Sequence, residues 1–186
     1  MVTQHDPVTV YTIGHSNRTI DELLSLLRRI PITILVDVRA YPQSQRYPQF
    51  SQEPLRQSLE AAGVTYHWAG RHLGGMRKSQ GVSKHIALED ESLRAYADYM
   101  EGESFQKAVV QLMHLAATSN TAILCAEKLP EQCHRSLLSD YLLLQAADVS
   151  HIIEDEIIVR HQLSPQVRRE SVQLIYDRGA TQLLDL

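Results

Sequence analysis

Residues 32–38 read Ile-Thr-Ile-Leu-Val-Asp-Val, a nearly continuous apolar run that follows Pro31 and leads into Arg39. A run of this kind, with little polar alternation, is typical of a strand that is covered on both faces in a parallel sheet. It therefore predicts a central strand, and Pro31 marks the end of the helix before it.

The segments on either side continue an order of strand, helix and strand. Val8–Ile13 is β-branched and aromatic and stops at Gly14, and Thr19 and Glu22 have the spacing of a capping box before a helix. Further strands are predicted at Val64–Trp68 and Thr121–Cys125, and helices at Pro54–Ala62, Ser92–Met100, Ser104–Ala117 and 133–147. We therefore expect a single Rossmann-like α/β domain over residues 1–186, with a mainly parallel sheet flanked by helices on both faces.

The segments 70–85 and 151–186 are less regular. Residues 70–85 contain four glycines and no acidic residue, and they carry Arg71, Arg77, Lys78 and Lys84. This pattern predicts a long basic loop, either a lid over an anionic ligand or a solvated surface loop. His151–Ile158 has the composition of a last strand pair or an extended segment, and Ser164-Pro165 predicts the start of a final helix.

Composition and charge exclude several classes of protein. The 186 residues are 44% hydrophobic and 22% charged, as in globular domains, and a net charge of −4 argues against a surface that is positive throughout. Contact with nucleic acid through a local basic patch remains open. We expect no membrane segment and a cytoplasmic location, because no apolar run approaches ~20 residues and the N-terminus has no signal pattern. Two cysteines suit a thiol, ligand or core role, and the oligomeric state is left open.

Polar side chains follow the ends of the predicted strands. His15 follows the first strand, Asp37 and Arg39 lie at the end of the second, and Cys125 and Glu127 lie at the end of the fourth. In open parallel sheets, ligands bind beyond the carboxyl ends of the strands. Asp37 and Arg39 share one face, so they form either a structural salt bridge or an acid and a base for one ligand.

The densest cluster runs from Cys125 to Arg135. A cysteine at a helix N-terminus beside His134 and Arg135 can have its pKa lowered from about 8.5 to roughly 3.5–7.5, which indicates Cys133 as a nucleophile. The helix start and Arg135 also predict an anion site. Cys125 is alternatively a small buried hydrophobe that closes its strand.

Zinc is the competing use of the same cluster. Cys125, Cys133 and His134 form a three-ligand set, with Glu127 as general acid or base. The spacing argues against this site, because seven residues separate the cysteines. Adjacent residues on a helix would also point about 100° apart. We therefore assign no metal site and leave the cofactor open, with zinc on Cys125, Cys133 and His134 as the alternative.

Several motifs together resemble the bacterial domain of unknown function 488 family. They are Tyr11-Thr12-Ile13-Gly14-His15-Ser16, Asp37-Val38-Arg39-x-x-Pro42-x-Ser44, Leu73-Gly74-Gly75, Tyr99-Met100, and Cys125-Ala126-Glu127 through Cys133-His134-Arg135. The resemblance covers residues 8–160, which leaves 161–186 as a C-terminal extension. It implies a common pattern of polar residues that adds Ser16 and Ser44 to the candidates, but no particular activity.

These observations predict a hydrolase or group transferase that acts on a phosphate-bearing substrate, such as a nucleotide or a nucleic-acid end. The expected catalytic residues are His15, Asp37, Glu127, Cys133 and His134. The expected anion-binding residues are Ser16, Arg39, Ser44, Arg77 and Arg135. The alternative is a thiol-based redox sensor or ligand-binding module that uses Cys125 and Cys133.

Overall fold

A computed structural model describes residues 7–179 and contains a six-stranded sheet with helices on both faces. The strands are β1 Thr9–Gly14, β2 Ile34–Asp37, β3 Thr65–Trp68, β4 Thr121–Cys125, β5 Asp148–Glu154, β6 Ile157–Arg160, β7 Val167–Glu170 and β8 Gln173–Tyr176. The helices are α1 Ile20–Arg29, α2 Gln52–Ala61, α3 Gly70–Leu73, α4 Glu91–Tyr99, α5 Glu103–Thr118 and α6 Arg135–Leu144, with 3₁₀ turns at Pro48–Phe50 and Pro130–Gln132.

The sheet order is β3-β2-β4-β1-β5-β6, and its first five strands are parallel. The sixth strand, β6, pairs antiparallel with β5. The predicted α/β, mainly parallel, Rossmann-like fold is therefore confirmed, and the segment after residue 151 forms a strand pair.

Alternate residues of the central strands pack on two separate apolar layers. On one face, Ile13 and Leu35 pack with Leu23 of α1 and Leu59 of α2. On the other face, residues such as Ile123 pack with side chains of α4, α5 and α6. The capping box of α1 is present, because the Thr19 hydroxyl accepts from the Glu22 N–H and the Glu22 carboxylate accepts from the Thr19 N–H. Burial of both faces explains the continuous apolar run in β2.

The predicted final helix after Ser164-Pro165 is wrong. Ser164 instead forms a turn, in which its carbonyl accepts from Val167 N–H and its hydroxyl from Gln166 N–H. The hairpin β7–β8 follows and packs Leu174 and Tyr176 into the core. Burial of Val167, Leu174, Ile175 and Tyr176 in this hairpin outweighed the local helix signal. Residues 180–186 lie outside the described part of the chain.

None of the helices within residues 7–179 is long and apolar enough to cross a membrane.

Candidate functional site

The carboxyl ends of three neighbouring strands form the floor of the site. Because β4 lies between β1 and β2, the register places Gly14 beside Cys125 and brings Asp37 to the same edge. Gly14 allows the following loops to meet, since a Cβ atom there would lie 1.7 Å from the Glu127 carbonyl oxygen. The His15 N–H donates to the Cys125 carbonyl over 3.0 Å, which joins the two loops.

Asp37 and Arg39 form a buried ion pair at the end of β2. One carboxylate oxygen of Asp37 accepts from the Arg39 backbone N–H at 3.0 Å and from Nε at 2.9 Å. The other accepts from Arg39 Nη2 at 2.5 Å and from the Tyr66 hydroxyl at 2.8 Å. Both oxygens are engaged and Asp37 is fully buried. Its observed role is therefore to hold Arg39, and its role in proton transfer stays a prediction.

His15 lies next to this pair and is also enclosed. Its ring stacks on Phe50 at 4.5 Å between centroids. Nδ1 lies 2.9 Å from the Ser16 carbonyl oxygen and Nε2 lies 3.3 Å from Arg39 Nη1. Burial, and next the charge of Arg39, lowers the pKa of His15 to about 4, so the ring is neutral at pH 7. In that state Nδ1 donates to Ser16 and Nε2 accepts from Arg39.

Cys125, Cys133 and His134 converge at the end of β4. The helix α6 begins at Arg135, while Cys133 has extended backbone (φ −152°, ψ 171°) and His134 occupies the N-cap position. The expectation that Cys133 and His134 diverge as helical neighbours is therefore wrong. One ligand atom from each of the three side chains lies within 4.8 Å of the others.

The two thiols differ in their pKa values. Contact with the Cys125 thiol, followed by the guanidinium and backbone N–H of Arg135, lowers the pKa of Cys133 to about 7 although burial opposes this shift. The same contact and burial raise the pKa of Cys125. Cys133 is therefore the more readily ionised thiol of the pair.

Arg135 lies beneath the thiols rather than on the wall of a cavity. Its side chain is fully buried, and Nη2 donates to the carbonyl oxygens of Glu127 at 2.9 Å and Lys128 at 3.0 Å. Its Nε and Nη1 have no hydrogen-bond partner among the described residues. This burial argues against the expected direct contact with a bound anion and places the charge behind Cys133 instead.

His134 lies between the Cys125 thiol and Gly75. Its Nδ1 lies 3.9 Å from Cys125 Sγ, and its ring meets Tyr96 edge-on at 4.9 Å. A Cβ atom at Gly75 would lie 2.4 Å from His134 Nδ1, so this close passage requires glycine. Burial lowers the pKa of His134 to about 4, which leaves the imidazole neutral at pH 7.

A cavity of about 630 Å³ opens above these groups. Its walls come from the end of β2, residues 75–78, the start of α4 and the turn between β4 and α6. The lining residues are Arg39, Ala40, Tyr41, Gly75, Met76, Arg77, Lys78, Asp90, Ser92, Leu93, Cys125, Ala126, Glu127, Gln132, Cys133 and His134.

The charged side chains on these walls differ in their contacts with the rest of the protein. The Arg77 guanidinium lies 3.7 Å above the centre of the Tyr99 ring, and its Nε donates to the Gly74 carbonyl. Asp90 caps α4 by accepting from the N–H groups of Ser92 and Leu93. Glu127 is exposed.

Ser16 and Ser44 do not line this cavity. Ser16 has a left-handed backbone (φ 48°), and its N–H donates to the Ala126 carbonyl at 2.7 Å. The Ser44 hydroxyl accepts from the Tyr47 N–H at 2.9 Å. Both residues shape loops around the site, and direct contact with substrate stays a prediction for them.

The basic loop borders the cavity over a short part of its length. Residues 70–73 form the helical turn α3 instead of continuing the loop, and only residues 75–78 of this loop reach the cavity. Closure of the loop over a ligand stays a prediction.

Sequence reasoning missed a second buried polar network. The His151 ring lies 2.7 Å from the Thr12 hydroxyl and 2.9 Å from His161, and His161 lies 2.9 Å from Asp140. Tyr176 also donates to Asp140. Burial lowers the pKa of His151 to about 3. In the sequence this network is visible only as polar residues within apolar segments. Such a pattern does not show which of these residues contact each other when they are far apart along the chain.

The cluster of Cys125, Cys133 and His134 can therefore serve three kinds of chemistry. A thiolate beside a thiol can attack an electrophile, or the two sulfurs can form a disulfide. Two sulfurs and an imidazole nitrogen are also ligands that zinc prefers.

Comparison with known proteins identifies one family. The family model described as domain of unknown function DUF488 matches residues 19–142, which is more than half of the 186 residues. The chain therefore belongs to this family. No curated protein and no solved structure matches it.

Proposed function

We propose that this member of the DUF488 family is a group transferase that uses Cys133 as a nucleophile on a small phosphate-bearing substrate, such as a nucleotide. The observation that carries the proposal is the position of Cys133 on the wall of the 630 Å³ cavity, with a pKa lowered to about 7. A thiol with an ordinary pKa of about 8.5 is only a few per cent thiolate at pH 7, whereas this one is about half ionised.

Positive side chains on the cavity wall support an anionic substrate. Arg39 is held in place by Asp37, Arg77 is held against Tyr99, and Lys78 lies beside Arg77. A guanidinium held by packing and hydrogen bonds binds a phosphate with little loss of side-chain freedom. We therefore assign the phosphate to this side of the cavity and the reacting group to the side of Cys133.

In the proposed reaction the Cys133 thiolate attacks the electrophilic atom of the substrate. A bond forms from Sγ to that atom, and the leaving group departs with the electron pair of the broken bond. A second substrate then displaces Cys133 and restores the thiolate. The buried charge of Arg135 stabilises the thiolate before attack and after release.

Glu127 is the best candidate for general acid or base in this scheme. It is exposed and lines the cavity, whereas the oxygens of Asp37 are engaged by Arg39 and Tyr66. With water as the acceptor, the same arrangement would act as a hydrolase. A glutamate within hydrogen-bond reach of the acceptor typically contributes 10²–10⁴-fold in rate.

Alkylation by iodoacetamide tests the thiolate directly. In Cys125→Ser the serine hydroxyl replaces the thiol beside Cys133 as a donor, and Cys133 is the remaining cysteine. We expect the rate for this variant to rise with pH and to exceed that of Cys133→Ser by more than about tenfold at pH 7. Chelator is included so that bound metal does not mask the thiols. Equal rates for the two variants at pH 7 would overturn the assignment of Cys133.

Intact mass spectrometry after incubation with a panel of nucleotides and other phosphate esters tests the covalent step. We expect an adduct on wild-type protein and on Glu127→Gln, in which turnover of the adduct is slowed. Cys133→Ser should form no adduct. Full transfer activity in Cys133→Ser would contradict the mechanism.

The short distance between the two sulfur atoms supports a second candidate function. The Sγ atoms of Cys125 and Cys133 lie within 4.8 Å of each other, so a small movement would bring them to the 2.05 Å of a disulfide. A redox sensor of this kind would act in a reducing compartment such as the cytoplasm, where both thiols start reduced. Loss of two hydrogen atoms on mild oxidation, absent in either serine variant, would favour it.

A further inference from the structure

The outer edge of the sheet carries an exposed apolar strand. The side chains of Ile157, Ile158 and Val159 in β6 are each about half exposed, at 48–49%. Within residues 7–179, β6 pairs only with β5, so its other edge has no strand beside it. Proteins usually protect such an edge with charges, proline or a cover, because it can pair with another strand.

The hydrogen-bond pattern shows which backbone groups of β6 face outward. His161 donates its N–H to Val149 of β5 at 2.8 Å. In an antiparallel pair the bonded residues alternate, so Val159 also faces β5 while Ile158 and Arg160 direct their N–H and C=O groups to the open edge. Glu156 lies in the turn between β5 and β6, directly before the strand begins at Ile157. Another strand can therefore bond at Ile158 and Arg160, with Glu156 at the end of the paired segment.

The charges along this edge are arranged so that two copies of it in antiparallel orientation would place acidic residues opposite basic ones. Asp155 and Glu156 precede the apolar residues, and Arg160 and His161 follow them. Antiparallel pairing of two copies about Ile158 would place Glu156 of one copy opposite Arg160 of the partner subunit, twice by symmetry. Opposite charges directly across a strand pair are stabilising, and like charges are destabilising.

We propose that this chain forms a two-fold symmetric dimer by antiparallel pairing of β6 with β6 of a second copy, centred on Ile158. A two-fold contact uses the same patch on both subunits, which is what this self-complementary edge offers. A parallel arrangement would put like charges side by side. Within the described residues Glu156 has no ion-pair partner. Arg160 forms an ion pair with Asp148, but its side chain remains 74% exposed and accessible to a second copy.

A charge-reversal experiment tests both the dimer and its register. Sedimentation equilibrium of the wild-type chain should give twice the mass of 21.1 kDa at about 100 µM. Glu156→Arg makes both ends of the strand positive and Arg160→Glu makes both ends negative. We expect each variant alone to dimerise at least about tenfold more weakly.

Mixing the two variants is the decisive step. Each position 156 then meets an opposite charge at position 160 of the other variant, so the mixture should recover heterodimers at close to wild-type affinity. Recovery on mixing also shows that both variants are folded. Val110→Lys, which changes an equally exposed apolar residue on α5, should leave dimerisation unchanged.

Three results would overturn the proposal. They are a wild-type chain that stays monomeric at about 100 µM, single variants that dimerise as tightly as wild type, and a mixture that stays monomeric. None of these results depends on the activity of Cys133, so the dimer and the proposed function are tested separately.

Discussion

Replacing Asp37 by asparagine would remove the charge that holds Arg39 at the floor of the cavity. In the wild-type chain Asp37 is fully buried, Arg39 is 7% exposed, and the carboxylate accepts three hydrogen bonds from Arg39 and one from Tyr66. The amide of asparagine keeps the shape of the side chain but presents an N–H₂ group to donors, so at least one hydrogen bond is lost. The Arg39 charge then has no buried counter-charge.

The cost follows from the burial of the pair. Breaking a buried ion pair by removing one partner typically costs about 3–5 kcal/mol, because the remaining charge is left without compensation. Tyr66→Phe removes one of the four hydrogen bonds to Asp37 and should cost only about 1 kcal/mol. Glu53→Gln, which breaks an exposed ion pair with Arg56 on α2, should leave the stability unchanged.

Urea unfolding at pH 7, followed by circular dichroism, measures these differences. We expect a lower midpoint for Asp37→Asn with an unchanged slope, since the slope depends on the surface exposed on unfolding. A loss for Asp37→Asn no larger than that for Tyr66→Phe would refute the buried ion pair as the main support of this strand end. Because stability is affected, loss of activity in Asp37→Asn alone would not assign it a catalytic role.

Gly14, His15 and Tyr176 each give a further testable prediction. Gly14→Ala should cost about 3 kcal/mol or more in urea unfolding, because its Cβ atom would overlap the Glu127 carbonyl. Acid should destabilise the fold. The unfolded chain protonates His15 near pH 6.5 and the folded chain only near 4, so His15 alone lowers the unfolding free energy by about 3 kcal/mol as pH drops through that interval. His134 and His151 add to this loss, and His15→Asn should lose less than wild type by the share of His15. Tyr176→Phe should cost about 1–3 kcal/mol by leaving Asp140 short of a buried donor, and should speed amide exchange in β7–β8.

Elements defined by local signals were predicted well. The capping box of Thr19 and Glu22, the apolar run of β2 and the end of α2 at Gly63 are each set by residues within one or two turns of chain. The helix predicted after Ser164-Pro165 was wrong, because the hydroxyl and carbonyl of Ser164 form a turn. The strand β8 that follows packs Tyr176 into the core.

The candidate site was predicted in position but not in detail. Parallel strands end at one edge, so polar residues after β1, β2 and β4 had to approach each other there. Whether each polar side chain is free or hydrogen-bonded depended on partners that are distant in the sequence. Tyr66, which donates a hydrogen bond to Asp37, is 29 residues further along the chain. His151, which forms a hydrogen bond with the Thr12 hydroxyl, is 139 residues further along.

The amino-acid sequence by itself determined the order of strands and helices and the edge of the sheet at which the cysteines lie, because hydrophobic periodicity and capping act over a few residues. Only the tertiary structure decided that the side chains of Cys133 and His134 converge beside Cys125 and that Arg135 is buried beneath the thiols. It also decided that the carboxylate of Asp37 forms an ion pair with Arg39. These outcomes depend on burial and on contacts between segments far apart in the chain, which no local pattern encodes.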